Sequence, residues 1–99
     1  MEVWRLDSEA VESRRPQVLR SDAGANRVVL LALPASEELT EHEVREHALV
    51  FLVDGEITLS ADPQRETLAA PALVHLEPSE RHAVQAHSDS RLVIYLAPW

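Results

Sequence analysis

The 99-residue sequence contains no cysteine, so neither a disulfide nor a thiolate-ligated metal ion can support its fold. It has only two glycines, Gly24 and Gly55, which is too few for a glycine-rich loop that holds phosphate groups. It also lacks the nucleophile elbow of serine hydrolases and the glycine pattern of dinucleotide-binding domains. These absences exclude most nucleotide-dependent enzymes.

No segment is long and apolar enough to cross a bilayer, because the run from Ala48 to Val53 spans only six residues. Met1 to Arg5 shows no basic stretch followed by an apolar one, so it does not resemble a signal peptide. Seventeen acidic residues against nine basic ones give a net charge of −8, which repels nucleic acids and anionic lipids. We therefore expect a soluble cytoplasmic protein with no nucleic-acid or membrane partner.

Short apolar runs recur along the chain, and turn residues end each of them, a pattern typical of an all-β sandwich or barrel. The length predicts one domain, with residues 1–26 as an N-terminal strand or arm and residues 27–99 as the barrel. Residues 35–46 are rich in glutamate but carry no helical apolar stripe, so we predict a loop and an edge strand there. The predicted strands are Val3–Leu6, Pro16–Leu19, Arg27–Leu33, His47–Val53, Glu56–Ser60, segments around Leu68 and Leu73–Leu76, Arg81–Ala86 and Arg91–Leu96, with a turn at Ser21–Asn26.

Two features of the strand His47–Val53 support further predictions, one about a turn and one about assembly. The Asp54-Gly55 pair that ends it is typical of a hairpin turn with positive φ at the glycine. Leu49 to Val53 are apolar on both faces, whereas a strand with one wet face would alternate. The second face therefore needs cover from the N-terminal segment or from a second subunit, and we predict a homodimer.

Three segments of the sequence, residues 41–56, 71–82 and 91–99, carry a family resemblance. Residues 41–56 (EHEVREHALVFLVDGE) are similar to the first cupin motif, which runs from metal-binding histidines through a buried strand to a turn glycine. Residues 71–82 (PALVHLEPSERH) are similar to the second motif, and residues 91–99 (RLVIYLAPW) to the last strand of small bacterial cupins. The resemblance implies a cupin-type antiparallel double-sheet β-barrel, a jelly-roll-like fold whose open end would carry the site.

The resemblance also implies ligands for a divalent metal, although it carries over only in part. The first histidine of the motif falls on His42, and the histidine of the second motif on His82. Val44 stands at the position of the second histidine and Ala48 at that of the glutamate. Pro71 and Ala72 replace the usual Gly-Asp pair. Two of the four family ligands are therefore present.

A third ligand depends on how the strand begins. If Ala48 points inward, alternation sends Glu46 inward and His47 outward, and a bulge before the strand would reverse this. A set of His42, Glu46 and His82 suits Fe(II) or Mn(II), whereas His42, His47 and His82 suit Zn, Ni or Cu. The sequence leaves both sets open. His75 should face away from the side of Val74 and Leu76, and His87 should be an exposed turn residue.

The resemblance leads to two functional hypotheses. In the first, the barrel binds a small molecule, with a possible divalent metal and oxygenase- or isomerase-type chemistry. In the second, it is a non-catalytic ligand-sensing or dimeric interaction module without metal, and His42 and His82 are polar pocket residues. The apolar residues Val44 and Ala48 favour the second.

Overall fold

The computed structural model describes residues 1–8, 11, 15–21, 26–42 and 45–97, with residues 40–42 described by their backbone alone. The described residues form strands and turns, and no helix among them is long and apolar enough to cross a membrane. The predicted turn at 21–26 falls mostly outside the described residues. In chain order the strands are β1 (Gln17–Ser21), β2 (Arg27–Leu33), β3 (Glu38–His42), β4 (His47–Asp54), β5 (Glu56–Ala61), β6 (Gln64–Ala69), β7 (Ala72–Leu76), β8 (His82–Ala86) and β9 (Ser90–Ala97).

The strands form two antiparallel sheets that face each other. The five-stranded sheet has the order β1-β2-β9-β4-β7, and the four-stranded sheet has the order β3-β8-β5-β6. Side chains from both sheets meet in one core, where Leu31, Leu52, Ile57 and Leu92 are each only 1% exposed. The predicted all-β double-sheet architecture is confirmed.

Burial along β4 follows the period of a strand. Ala48, Val50 and Leu52 are buried against the core, and the residues between them are half-buried on the outer face. This is the alternation that sends His47 outward. The prediction of an edge strand within residues 35–46 is also confirmed, because β3 lies at one edge of the four-stranded sheet.

Two sequence predictions are wrong. Residues 3–6 form no strand: Val3 is 65% exposed, residues 6–8 form a turn, and the Leu6 carbonyl accepts a hydrogen bond from Arg91 Nη1 at 2.9 Å. So short a run cannot bury an apolar face of its own.

The second error concerns the connection after β4. Gly55 does have the predicted positive φ, at 96°, but Asp54-Gly55 does not form a hairpin. Both edges of β4 are already paired, one with β7 and the other with β9, so β5 crosses to the other sheet and pairs with β6 and β8. The glycine turn therefore joins the two sheets.

Candidate functional site

A cavity of about 440 Å³ lies between the two sheets, and the half-exposed Arg27 at the start of β2 forms part of its lining. Its wall is largely aliphatic, because the inward-facing residues of β2, β4 and β9 are valine, leucine, isoleucine and alanine. Two polar side chains join this wall, those of Arg27 and His82. The lining residues are Pro16, Arg27, Val29, Leu31, Leu39, Ala48, Val50, His82, Val84, Leu92, Ile94 and Leu96.

His82 is the buried polar residue of the cavity. It begins β8, is only 7% exposed, and its Nδ1 lies 3.0 Å from the Glu80 carbonyl oxygen. A carbonyl can only accept, so Nδ1 carries the proton and donates this hydrogen bond. In the neutral ring Nε2 is then an acceptor. The sequence prediction that His82 belongs to a barrel pocket agrees with this placement.

The backbone register brings His42 beside His82. The two residues are partners in the antiparallel pairing of β3 and β8, after a register shift that follows Leu39. Partner residues of such a pair have Cα atoms about 4.5–5.5 Å apart. The side chain of His42 lies outside the described part of the chain, as does Val44. That both imidazoles point into the cavity therefore stays a prediction.

Glu46 and Arg27 form an ion pair at the mouth of the cavity. Arg27 Nη2 donates to Glu46 Oε2 over 3.0 Å, and the two side chains are 44% and 24% exposed. A half-exposed pair of this kind contributes little to stability, on the order of 1 kcal/mol or less. Its effect is to hold the guanidinium in place at the entrance. Glu46 does not belong to the described lining of the cavity.

The described lining does not fit a metal ion on its own. His82 is the one metal-ligating side chain within this described lining. Arg27 carries a positive charge, which repels a metal cation. Ala48, where the family resemblance implies a glutamate, is 2% exposed and forms part of the wall. Catalytic metal sites usually have three protein ligands, so His42 and His82 together would still lack one.

A second polar cluster lies on the outer face of the five-stranded sheet, away from the cavity. His47 Nδ1 lies 3.0 Å from His75 Nε2, and the two rings stack with their centroids 5.2 Å apart. Glu77 completes the cluster, with Oε2 at 3.8 Å from His47 Nδ1 and Oε1 at 3.9 Å from His75 Nδ1. We refer to His47, His75 and Glu77 as the outer cluster.

Sequence reasoning placed His75 on the outer side of its strand, which the structure confirms, but did not connect it with His47 or Glu77. The available signal was the spacing of His75 and Glu77, two residues apart and therefore on one face of a strand. The sequence alone did not reveal that β7 pairs with β4, which places His75 beside His47. His87 is exposed as predicted, although its Nε2 also lies 2.6 Å from Thr58 Oγ1.

No protein-family model and no curated protein matches this chain. Solved structures, in contrast, do match it. An RmlC-like cupin protein from Desulfovibrio desulfuricans superimposes with a TM-score of 0.86 at 20% identity, over 99% of this chain and 97% of the other. A cupin superfamily protein from Desulfitobacterium hafniense gives 0.82 at 12% identity, over 96% and 88%. The cupin domain of Cnp3 from Schizosaccharomyces pombe gives 0.85 at 12% identity, over 98% and 74%. At these identities the likeness establishes the architecture alone.

Proposed function

We propose that this chain, which has the cupin fold, binds a small organic acid in its barrel, with the carboxylate at Arg27 and an apolar body inside. The observation that carries this proposal is the composition of the cavity: an aliphatic wall with one guanidinium at its mouth and one buried imidazole.

The size and polarity of the cavity suit such a ligand. Small-molecule pockets typically measure about 300–1,000 Å³ and combine apolar walls with a few polar groups that fix orientation. At about 440 Å³ the cavity lies at the smaller end of that range. Burial of apolar ligand surface would supply most of the affinity, at about 25 cal/mol per Å² before the costs of association are subtracted.

Arg27 and His82 would supply specificity. A guanidinium offers several donors in a planar fork and binds carboxylates in a bidentate manner. Since Glu46 contacts Arg27 through Nη2, other donors of the same fork can serve a ligand. His82 donates from Nδ1 to the Glu80 carbonyl, which fixes the orientation of its ring in the cavity wall.

The donor set of the described lining supports binding or sensing better than metal-dependent catalysis. A metal-dependent oxygenase or isomerase, the competing hypothesis, would require His42 and His82 to share an ion with a third ligand. Elemental analysis of the purified, untagged protein, combined with a His82→Gln variant, separates the two. Stoichiometric metal that disappears in this variant would place a metal ion in the barrel and favour the competing hypothesis.

The binding proposal is tested with matched pairs of probes. A panel of aliphatic and aromatic monocarboxylic acids is compared with the primary amides of the same acids by thermal shift and ligand-observed NMR. We expect acids to bind more tightly than their amides, and Arg27→Gln to remove that preference. Arg65→Gln, which removes an exposed arginine of β6, is the charge-matched control and should preserve it.

A second variant tests the location. Ala48→Leu projects extra carbons into the cavity and should abolish binding of acids and amides alike, while circular dichroism checks that the barrel still folds. Binding that survives both Arg27→Gln and Ala48→Leu would place the ligand elsewhere and refute the proposal.

A further inference from the structure

We propose that the outer cluster of His47, His75 and Glu77 binds a divalent transition-metal ion of the zinc class, at a site separate from the barrel cavity. The register of β4 and β7 supports such a site. In the pairing of β4 with β7, Leu49 faces His75 and Ala48 faces Leu76, so the same register sets His47 opposite Glu77. His75 and Glu77 are two residues apart and share a face. The fold itself therefore brings the three side chains together.

The distances between the ligand atoms are close to those of a zinc site. Ligands about 2.0–2.1 Å from a tetrahedral zinc ion lie roughly 3.3–3.4 Å from one another. His47 Nδ1 and His75 Nε2 are 3.0 Å apart, and Glu77 Oε2 is 3.8 Å from His47 Nδ1. One ligand atom from each of the three residues lies within 4.8 Å of the others. The first two separations differ from the tetrahedral value by about 0.5 Å or less, and the third by at most about 1.5 Å.

The donor atoms of the outer cluster have the chemistry that zinc prefers. Two imidazoles and one carboxylate form the ligand set of many zinc sites that keep a fourth position open. In the single chain the cluster meets the condition of an open position, because the side chains of His47, His75 and Glu77 are 37%, 44% and 68% exposed. The net charge of −8 also favours the approach of a cation over an anion.

The outer cluster and the cavity lie on opposite faces of the same strand. Ala48 lines the cavity, whereas His47 beside it belongs to the outer cluster. Metal binding outside and ligand binding inside are therefore separate proposals, and either can fail without the other.

The test titrates untagged, chelator-treated protein with zinc chloride by isothermal calorimetry. Two-dimensional NMR spectra that correlate imidazole nitrogens with ring protons are recorded at each step. We expect one ion per chain, with the largest changes at Nδ1 of His47 and Nε2 of His75. The chain has five histidines, so the signals of the other three serve as an internal reference for those of His47 and His75.

Variants then locate the site. His47→Gln, His75→Gln and Glu77→Gln should each weaken zinc binding by at least about tenfold, the loss known even for groups that only support metal ligands. His87→Gln and His82→Gln should leave zinc affinity within twofold of the parent chain. If His82→Gln removes binding and His47→Gln does not, the ion belongs in the barrel and the inference is wrong. Absence of stoichiometric binding by the parent chain would overturn it as well.

Discussion

Replacing Gly55 by alanine should destabilise the fold by several kcal/mol, because this residue combines an unusual backbone conformation with a close contact between the two sheets. Its φ of 96° is one that residues with a Cβ rarely adopt. A Cβ at this position would also meet Ser90 Oγ, and would lie 2.6 Å from the Asp89 carbonyl oxygen and 2.8 Å from Ser90 Cα. Two of these three atoms belong to the backbone and cannot rotate away.

The magnitude follows from these two terms. A non-glycine residue held at a sparsely populated backbone conformation costs about 1–3 kcal/mol, and overpacking against fixed neighbours costs about 1–3 kcal/mol more. The expected loss is therefore about 2–6 kcal/mol, out of a total near 5–15 kcal/mol for a domain of this kind. With a urea m-value of about 2 kcal/mol/M, the midpoint of unfolding should fall by at least about 1 M.

Urea unfolding followed by circular dichroism measures this loss, and two variants control it. Glu56→Ala changes the exposed neighbour and should alter stability by no more than about 0.5 kcal/mol. Ser90→Ala, introduced with Gly55→Ala, removes the hydroxyl contact but leaves both backbone contacts. Because the same hydroxyl donates hydrogen bonds to the carbonyl oxygens of Ser88 and Glu56, the double variant is compared with Ser90→Ala alone. In that background Gly55→Ala should still cause most of the expected loss of stability. A Gly55→Ala protein within about 0.5 kcal/mol of the parent would show that the turn relaxes freely and that the reasoning fails.

Two further predictions concern the two faces of the five-stranded sheet. Leu52→Ala, at a core position that is 1% exposed, should lower the free energy of unfolding in urea by about 2–5 kcal/mol. Leu73→Ala, at a site 65% exposed, should lower it by less than about 1 kcal/mol. Equal losses would mean that the core lies elsewhere. The homodimer predicted from the two-sided apolar strand should sediment as a dimer at roughly tens of micromolar, a concentration suited to ordinary dimer affinities. Leu73→Asp should shift it to monomer, and a parent chain that is monomeric at that concentration would contradict the prediction.

Individual strands were predictable because their signal is local. Arg27 to Leu33 is an uninterrupted strand bounded by Pro34, and β2 has those bounds. Strand partners were not predictable in the same way. Asp54-Gly55 has the local chemistry of a hairpin, but β4 already has a neighbour at each edge, and those neighbours come from distant parts of the sequence. Pairing is a property of the whole sheet, so a two-residue pattern cannot determine it.

The candidate site likewise contains residues with a local sequence signal and residues that only strand pairing brings together. His82 could be anticipated because the resemblance to the second cupin motif marks it, and it does line the cavity. Arg27 carried no signal beyond its place at the start of a strand, although it supplies the positive charge at the cavity mouth. The outer cluster depends on the register between β4 and β7, which brings residues about thirty positions apart onto one face. No spacing within either segment alone contains that information.

The start of β4 bears on the two ligand sets that the sequence left open, because it places His47 on the outer face. A bulge before the strand would have turned His47 inward. The register shift in the pairing of β4 with β9 instead falls after Leu52, and the pairing is regular from His47 to Leu52. A one-residue slip exchanges the two faces of a strand, so this regular pairing is what keeps His47 in the outer cluster and Ala48 in the cavity wall. Glu46 then lies one step before His47, where its carboxylate reaches Arg27 at the mouth. The register of one strand thus separates a cavity that can hold an organic acid from an outer face that can hold a metal ion.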